Sequence, residues 1–173
     1  SERGYIKQFT HEEETRKLLE NEKITFYIGF DPTADSLHVG HLAVYMLVRR
    51  FLEHGHEVVL LIGGGTGIIG DPGGRDDERQ LQSIEQISAN TTALSSQVQK
   101  LFGDKQFTLV NNYDWLKNLT VIDFLRNTGK HFSMTQLVDR DYIATRMGEG
   151  GSGISYAEFS YTLLQGYDFL HLY

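Results

Sequence analysis

The chain has 173 residues, with 16 basic against 23 acidic side chains and a formal net charge of −7. At 40% hydrophobic and 23% charged residues it suits a single globular domain with a sizeable core, and without cysteine it holds no disulfide, thiolate metal site or thiol nucleophile. Its acidic balance, with no Lys/Arg run longer than two, excludes a general footprint for phosphate backbones, so RNA contacts would have to come from a local patch or from sequence outside this chain.

The longest apolar runs, Leu42 to Val48 and Val58 to Ile62, have the size of a buried helix face or a strand and fall short of a membrane span. Ser1 to Gly4 resemble no signal or transit sequence, so a cytoplasmic protein is expected. Thr10-x-x-Glu13 reads as a capping box opening a polar helix to about Glu20. Ile24 to Phe30, rich in β-branched and aromatic residues, predicts a strand, and Asp31 to Ser36 has turn chemistry. A helix is expected over His38 to His54, with Leu42, Leu47, Val48 and Phe51 inward and Gly55 closing it. Val58 to Ile62 reads as a strand of a parallel sheet, which completes a βαβ unit with a right-handed crossover.

Gly63 to Gly74, with seven glycines and one proline in twelve positions, reads as a loop. From Asp77 to Leu101 the pattern predicts a helix with Leu81, Ile84, Ile87, Leu94, Val98 and Leu101 as its apolar stripe. Phe107 to Val110 reads as a third strand, running into the polar Asn111-Asn112-Tyr113-Asp114. A helix from Thr120 to Asn127 closed by Gly129, another opened by Ser133-x-x-Gln136, and a glycine hinge from Gly148 to Gly153 follow. Ser155-x-x-Glu158 caps a last helix that reaches the end of the chain without a stop signal, which leads us to expect a longer protein.

Three constellations could carry chemistry. In Asp31-Pro32-Thr33-Ala34-Asp35-Ser36-Leu37-His38-Val39-Gly40-His41, where a strand gives way to a helix, His38 and His41 share one helix face. The free N–H groups of that first turn, with Thr33 and two imidazoles, suit nucleotide phosphates. A polar first turn with an incidental histidine pair, or a weak two-ligand metal site, fits the spacing equally well. Gly40 gives up helix propensity by about 1 kcal/mol relative to alanine, and access for a flat group packing on the helix is a plausible return.

Residues 65 to 70 spell Gly-x-Gly-x-x-Gly, but Gly70 is followed by Asp71-Pro72-Gly73-Gly74, which stops the helix a dinucleotide fingerprint needs. The fingerprint is rejected on that ground, so an NAD-binding oxidoreductase stays only as a third option that rests on Gly65 to Gly70 alone, and no Walker lysine ending follows either. What remains is a close backbone approach with Asp71 as a fixed carboxylate, then Arg75 and Arg79, which suit either a polyphosphate or surface pairing with Asp76, Asp77 or Glu78. In the last helix, Tyr161-x-x-x-Gln165-x-x-Asp168 forms one polar stripe among Phe159, Leu163, Leu164, Phe169 and Leu170. Such a stripe must meet either a polar ligand or an internal hydrogen-bond network.

Taken together and in order, these stretches resemble bacterial and organellar tyrosyl-tRNA synthetases. The matching segments are Tyr27 to His41, Gly64 to Pro72, Asn111 to Trp115, Phe124 to Arg126 with Gly129 to Phe132, and Ile154 to Phe169. The resemblance implies an α/β, Rossmann-like parallel sheet with flanking helices, cut before its second half, in a single catalytic-domain fragment. Residues 1–22 would form its N-terminal helix, 23–111 its first βαβ half with the glycine-rich loop, and 112–173 a helical connective and dimer-interface region.

It further implies ATP-dependent activation of tyrosine and its transfer to tRNA(Tyr), with magnesium accompanying ATP and a homodimer as the working unit. Tyr27 and Asp168 would bind the substrate phenol, Asp71, Tyr161 and Gln165 its ammonium, and Asn112 would support the pocket at one remove. Thr33 and His38 would stabilise pyrophosphate, while Gly29, Asp31, Gly40 and His41 would line the nucleotide side. Arg75 and Arg79 fall where the family keeps basic residues on a mobile loop. Ile28 replaces a residue that is often small and polar, Val44 occupies a variable nucleotide-side position, and Asp76 and Asp77 add acid beside the loop. The alternative is a non-catalytic tyrosine-binding or dimerisation module built on Thr120 to Tyr173, with Tyr156 and Phe159 expected to be exposed.

Overall fold

A computed structural model describes residues 10–73, 80–103 and 105–173. Three parallel strands, β1 (Thr25–Phe30), β2 (Glu57–Ile62) and β3 (Thr108–Asn111), lie in the order β1-β2-β3. Tyr27 is level with Val59, Gly29 with Leu61, and Ile62 with Asn111. All three strands therefore end at one edge of the sheet, where Asp31, Gly63 and Asn112 begin the turns. Ligands bind at this carboxyl edge in open parallel sheets.

Between β1 and β2 runs α2 (Val39–Glu53), and α4 (Ile84–Phe102) precedes β3. Both bury one stripe on the same sheet face: Tyr45 and Val48 of α2 and Val98 and Phe102 of α4 close over Val58 and Leu60. Phe26, Ile28 and Phe30 add the alternate side chains of β1 to this layer, which turns Tyr27 and Gly29 to the other face. Gly55, at φ 80, ends α2 as expected: its N–H reaches Leu52 O at 3.0 Å and the N–H of His56 reaches Phe51 O at 3.1 Å. Those two bonds make a Schellman turn that only glycine enters without strain.

Several expectations need correction. The first helix, α1, spans Glu12–Asn21 and is entered through His11 with no side-chain cap, so Thr10 lies one residue too early for its capping box. Three glutamates in its first turn face the positive end of the helix dipole instead. Leu42 is 45% exposed, because Tyr45 and Val48 take the inward stripe of α2. Helix α4 starts at Ile84 behind the Ser83 cap; Leu81 and Ile84 are exposed, and residues 77–79 lie outside the described part.

The glycine run is not a loop. It holds a short helix, α3 (Gly64–Ile69), that stops at Gly70 with φ 88. Side chains from the end of β3 and the residue after it hold its start: Asn111 Oδ1 accepts from Gly64 N at 3.2 Å and Asn112 Oδ1 from Gly65 N at 2.8 Å. A Cβ on Gly64 would collide with the Asn111 amide, so this approach needs glycine.

After β3 come α5 (Tyr113–Leu116) and α6 (Val121–Asp123), the latter capped by Thr120 Oγ1 on Asp123 N at 3.1 Å. The helix does not end at Gly129, whose φ of −55 is helical; it widens into a π-helical turn over Phe124–Thr128 and tightens over Gly129–His131. Two short helices follow, α7 (Met134–Val138) without a side-chain cap from Ser133, and the unforeseen α8 (Asp141–Met147). The last, α9 (Tyr156–Leu172), has the predicted Ser155/Glu158 capping box. Phe159 is buried with Leu137, Ile143 and Leu163 in a second core rather than exposed, whereas Tyr156, Phe169 and Leu170 are exposed. Among the described residues no helix is long and apolar enough to cross a membrane.

Candidate active site

At the carboxyl edge of the sheet lies a cleft of about 660 Å³, open between β1, α3 and α9. Of the residues expected to bind ligand, Tyr27, Gly29, Asp31, Thr33, Asp71, Tyr161, Gln165 and Asp168 all line it, together with Ile28. They come from three stretches more than thirty positions apart in sequence. The parallel register unites them, because it brings the ends of β1 and β2 level beneath α9.

One wall is a continuous polar network. The Thr66 hydroxyl donates to Asp31 Oδ1 at 2.7 Å, and the Tyr161 hydroxyl donates to Asp31 Oδ2 at 2.7 Å. Asn112 Nδ2 donates to Thr66 Oγ1 at 3.1 Å and to Asp168 Oδ2 at 2.9 Å. Trp115 Nε1 donates to Asp168 Oδ1 at 2.8 Å, and its indole stacks on His171 with ring centroids 4.3 Å apart. Asp71 is fixed by the N–H of Gly73, which meets its Oδ1 at 2.8 Å. The polar stripe of α9 thus divides: Tyr161 and Asp168 join an internal network, while Gln165 is exposed on the cleft. Asn112 stands behind Asp168, at one remove from the cavity.

Burial sets the acid–base character of the cleft. Asp168 is 3% exposed, and desolvation raises its carboxyl above the usual aspartate range, opposed by hydrogen bonds from Asn112 and Trp115 and by the nearby His171. Desolvation, then the charge of Asp168, raises the Tyr27 phenol, which therefore stays protonated and able to donate. The Tyr161 phenol is driven up further by burial, by the charge and hydrogen bond of Asp31, and by the charge of Asp71; Thr66 alone acts the other way.

The histidine pair has a role the spacing did not reveal. His38 is the N-cap of α2, and its Nδ1 accepts from Gly40 N at 3.0 Å, while His41 Nδ1 accepts from His38 N at 3.3 Å. The two imidazoles form a reciprocal capping box with centroids 4.0 Å apart. An accepting Nδ1 leaves the proton on Nε2, so each neutral ring keeps an N–H donor that the cap does not use. Desolvation and the neighbouring His38 lower the His41 pKa, favouring that neutral form. Gly40 is explained differently as well: a Cβ there would stand 2.8 Å from His38 Cε1, so glycine admits the capping ring. His38 and His41 lie outside the main cleft, although His41 packs edge-on to Phe30, which lines it. Arg75 and Arg79 lie outside the described residues.

Replacing His38 with alanine is expected to lower stability by about 1 kcal/mol, the usual worth of a side-chain cap. Urea unfolding would show this as a lower midpoint at unchanged slope. Asparagine at the same position should recover most of the loss.

Thr66 and Trp115 received no role from the sequence, although both sit in segments that carry the resemblance. Each had a faint signal: Thr66 is the one hydroxyl in the glycine run, and Trp115 is the chain's single tryptophan.

A parallel sheet with flanking helices and a polar cleft at its carboxyl edge defines an α/β domain of Rossmann type. The family model for tRNA synthetases class I (W and Y) matches residues 19–173, and the chain belongs to that family. Among curated relatives, the tyrosine–tRNA ligase of Limosilactobacillus reuteri is 51% identical over 99% of this chain and 40% of its own length. That of Clostridium beijerinckii is 52% identical over 99% and 42%. A C-terminally truncated mitochondrial tyrosyl-tRNA synthetase from Aspergillus nidulans superposes with a TM-score of 0.79 at 32% identity, covering 87% of this chain and 45% of that one. The chain therefore spans about 40% of the length of the curated relatives it matches.

Proposed function

We propose that this chain is the tyrosine-binding part of a tyrosine–tRNA ligase and that its cleft seats the amino acid for activation by ATP. The observation that carries the reading is the buried Asp168 carboxylate, held from behind by Asn112 and Trp115 in a wall shared with the Tyr27 phenol. A ligand phenol can donate to Asp168 and accept from Tyr27, whereas a phenylalanine ring satisfies neither. Beyond it, Asp71, Tyr161 and Gln165 supply oxygen acceptors for an ammonium. The 50%-level identity to ligases named for tyrosine supports the same substrate.

In this reading the carboxylate oxygen of tyrosine attacks the α-phosphorus of ATP. The new O–P bond forms as the bond to pyrophosphate breaks, and pyrophosphate leaves with that electron pair. No enzyme nucleophile is needed, so alignment and charge stabilisation carry the catalysis. Thr33 and the Nε2–H groups of His38 and His41 would donate to phosphate oxygens, Gly29, Asp31 and Gly40 would line the nucleotide side, and magnesium would arrive on ATP as substrate. The tRNA and homodimer partners belong to the same proposal. The strongly exposed Val121, Ile122 and Tyr156 offer apolar surface for a second subunit, and the acidic balance points tRNA contacts elsewhere.

Isothermal calorimetry tests the core of this proposal. Tyrosine should bind at least about tenfold more tightly than phenylalanine, the worth of one hydrogen bond to a buried charged group. Equal affinities would remove tyrosine as the substrate.

A further inference from the structure

We infer that Thr66 is a positioning residue that holds the Asp31 carboxylate against Tyr161, and that Asp31 in turn takes the Tyr161 proton, so that Tyr161 meets the ligand only as an acceptor. This rests on the tyrosine reading above and adds how the cleft recognises the ammonium. Each proton in the chain of bonds has one possible direction. A carboxylate can only accept, so the Asn112 amide must turn its nitrogen to Asp168 and its oxygen to the N–H of Gly65. The second hydrogen of that nitrogen then points at Thr66 Oγ1. Thr66 has a single hydroxyl hydrogen, and with its oxygen already receiving one, that hydrogen goes to Asp31 Oδ1 at 2.7 Å. Asp31 Oδ2 receives the proton of Tyr161.

The outcome at the cleft is a phenolic oxygen with its hydrogen committed inward and its lone pairs available to a donor. An ammonium has donors only, so it fits; a hydroxyl or neutral acceptor gains nothing distinctive there. Thr66 borders the cleft but is only 2% exposed, and its one hydroxyl hydrogen is committed to Asp31. The site also explains Gly63: a Cβ there would collide with both Asp31 Oδ1 and Thr66 Oγ1, so the close approach of these two groups requires glycine.

The test compares tyrosine with desaminotyrosine, which keeps the phenol and carboxylate but lacks the ammonium, by calorimetry on Thr66→Val and Thr66→Ser proteins with unchanged melting. Valine keeps the shape and removes the hydroxyl. Thr66→Val should weaken tyrosine about tenfold while leaving desaminotyrosine within about twofold, and Thr66→Ser should restore tyrosine binding to within about threefold of wild type. Equal losses for the two ligands, no loss for either, or a serine protein as weak as the valine one would overturn the inference. If the wild-type chain does not prefer tyrosine to phenylalanine, the substrate reading falls and takes the inference with it. If that preference holds and Thr66→Val is silent, the inference falls alone.

Discussion

Asparagine in place of Asp168 should weaken tyrosine binding by about 10–100-fold while moving phenylalanine by less than about threefold. The carboxylate accepts from Asn112 and Trp115, one donor on each oxygen, and keeps lone pairs for a ligand phenol. An asparagine must turn its NH₂ toward one of those donors, which sets two N–H groups against each other in a site 3% exposed. Phenylalanine never uses the acceptor, so its affinity reports only packing. The wild-type pH dependence checks the same carboxylate. Burial raises its pKa, so protonation on acidification begins above the usual aspartate range. Tyrosine affinity should therefore be full above the raised pKa and fall as the pH drops through it, while phenylalanine affinity stays flat. A tyrosine profile as flat as that of phenylalanine would deny Asp168 its role.

The parts legible in the sequence were those that depend on near neighbours. Gly55 gave the end of α2, and Ser155 with Glu158 the start of α9, because each rests on contacts within about one helical turn; the run Val58 to Ile62 gave β2 because a central strand buried along most of its length is apolar at consecutive positions. The spacing of Tyr161, Gln165 and Asp168 likewise showed that one face of α9 is polar. It could not show that Tyr161 answers Asp31 from 130 positions away. Helix α3 was hidden for a related reason: a glycine run has no side-chain period, and what fixes its first turn is a pair of asparagines 47 positions downstream. Helix α8 was missed because Ile143 is its one fully buried apolar side chain, and its other anchors, the half-buried Tyr142 and the ion-paired Arg146, make no apolar stripe. The histidine pair was placed correctly on one helix face, but the spacing could not tell a phosphate site from a reciprocal cap. The structure supplies the cap through both Nδ1 atoms, and the cap does not use the Nε2–H groups that the phosphate reading needs.

Removing one partner of the buried Arg146–Glu158 pair should destabilise the fold by about 3–5 kcal/mol, more than any other single substitution considered. The side chains are 4% and 2% exposed, and the guanidinium meets the carboxylate through two bonds, Nη1 to Oε1 at 2.7 Å and Nη2 to Oε2 at 3.0 Å. Arg146 Nε also donates to Gly153 O at 2.8 Å, and Glu158 Oε2 accepts from Ser155 N at 3.2 Å. The pair thus ties α8, the glycine segment before α9 and the first turn of α9 to one another. Gly150 and Gly153, at φ 79 and 82, give the chain the curvature to wrap it. Glu158→Leu would leave a buried guanidinium without its counter-charge, whereas Arg146→Met with Glu158→Leu removes both charges and should recover much of the loss.

Acid unfolding gives an independent reading of the pair. Burial raises the Glu158 carboxyl, but the Arg146 hydrogen bonds and charge, with those from Ser155, outweigh it and hold the pKa below the ordinary glutamate value. A depressed carboxylate contributes stability that is complete above its unfolded pKa and is lost as the pH falls through the folded one. The gap between wild type and Glu158→Leu should therefore be constant near neutrality and narrow below about pH 4.3, the ordinary glutamate value. A gap that persists unchanged into strong acid would mean that the side chain contributes by packing and not by charge. Because α9 carries Tyr161, Gln165 and Asp168, the single variants that still fold should also bind tyrosine less tightly, and the double variant should regain affinity together with stability.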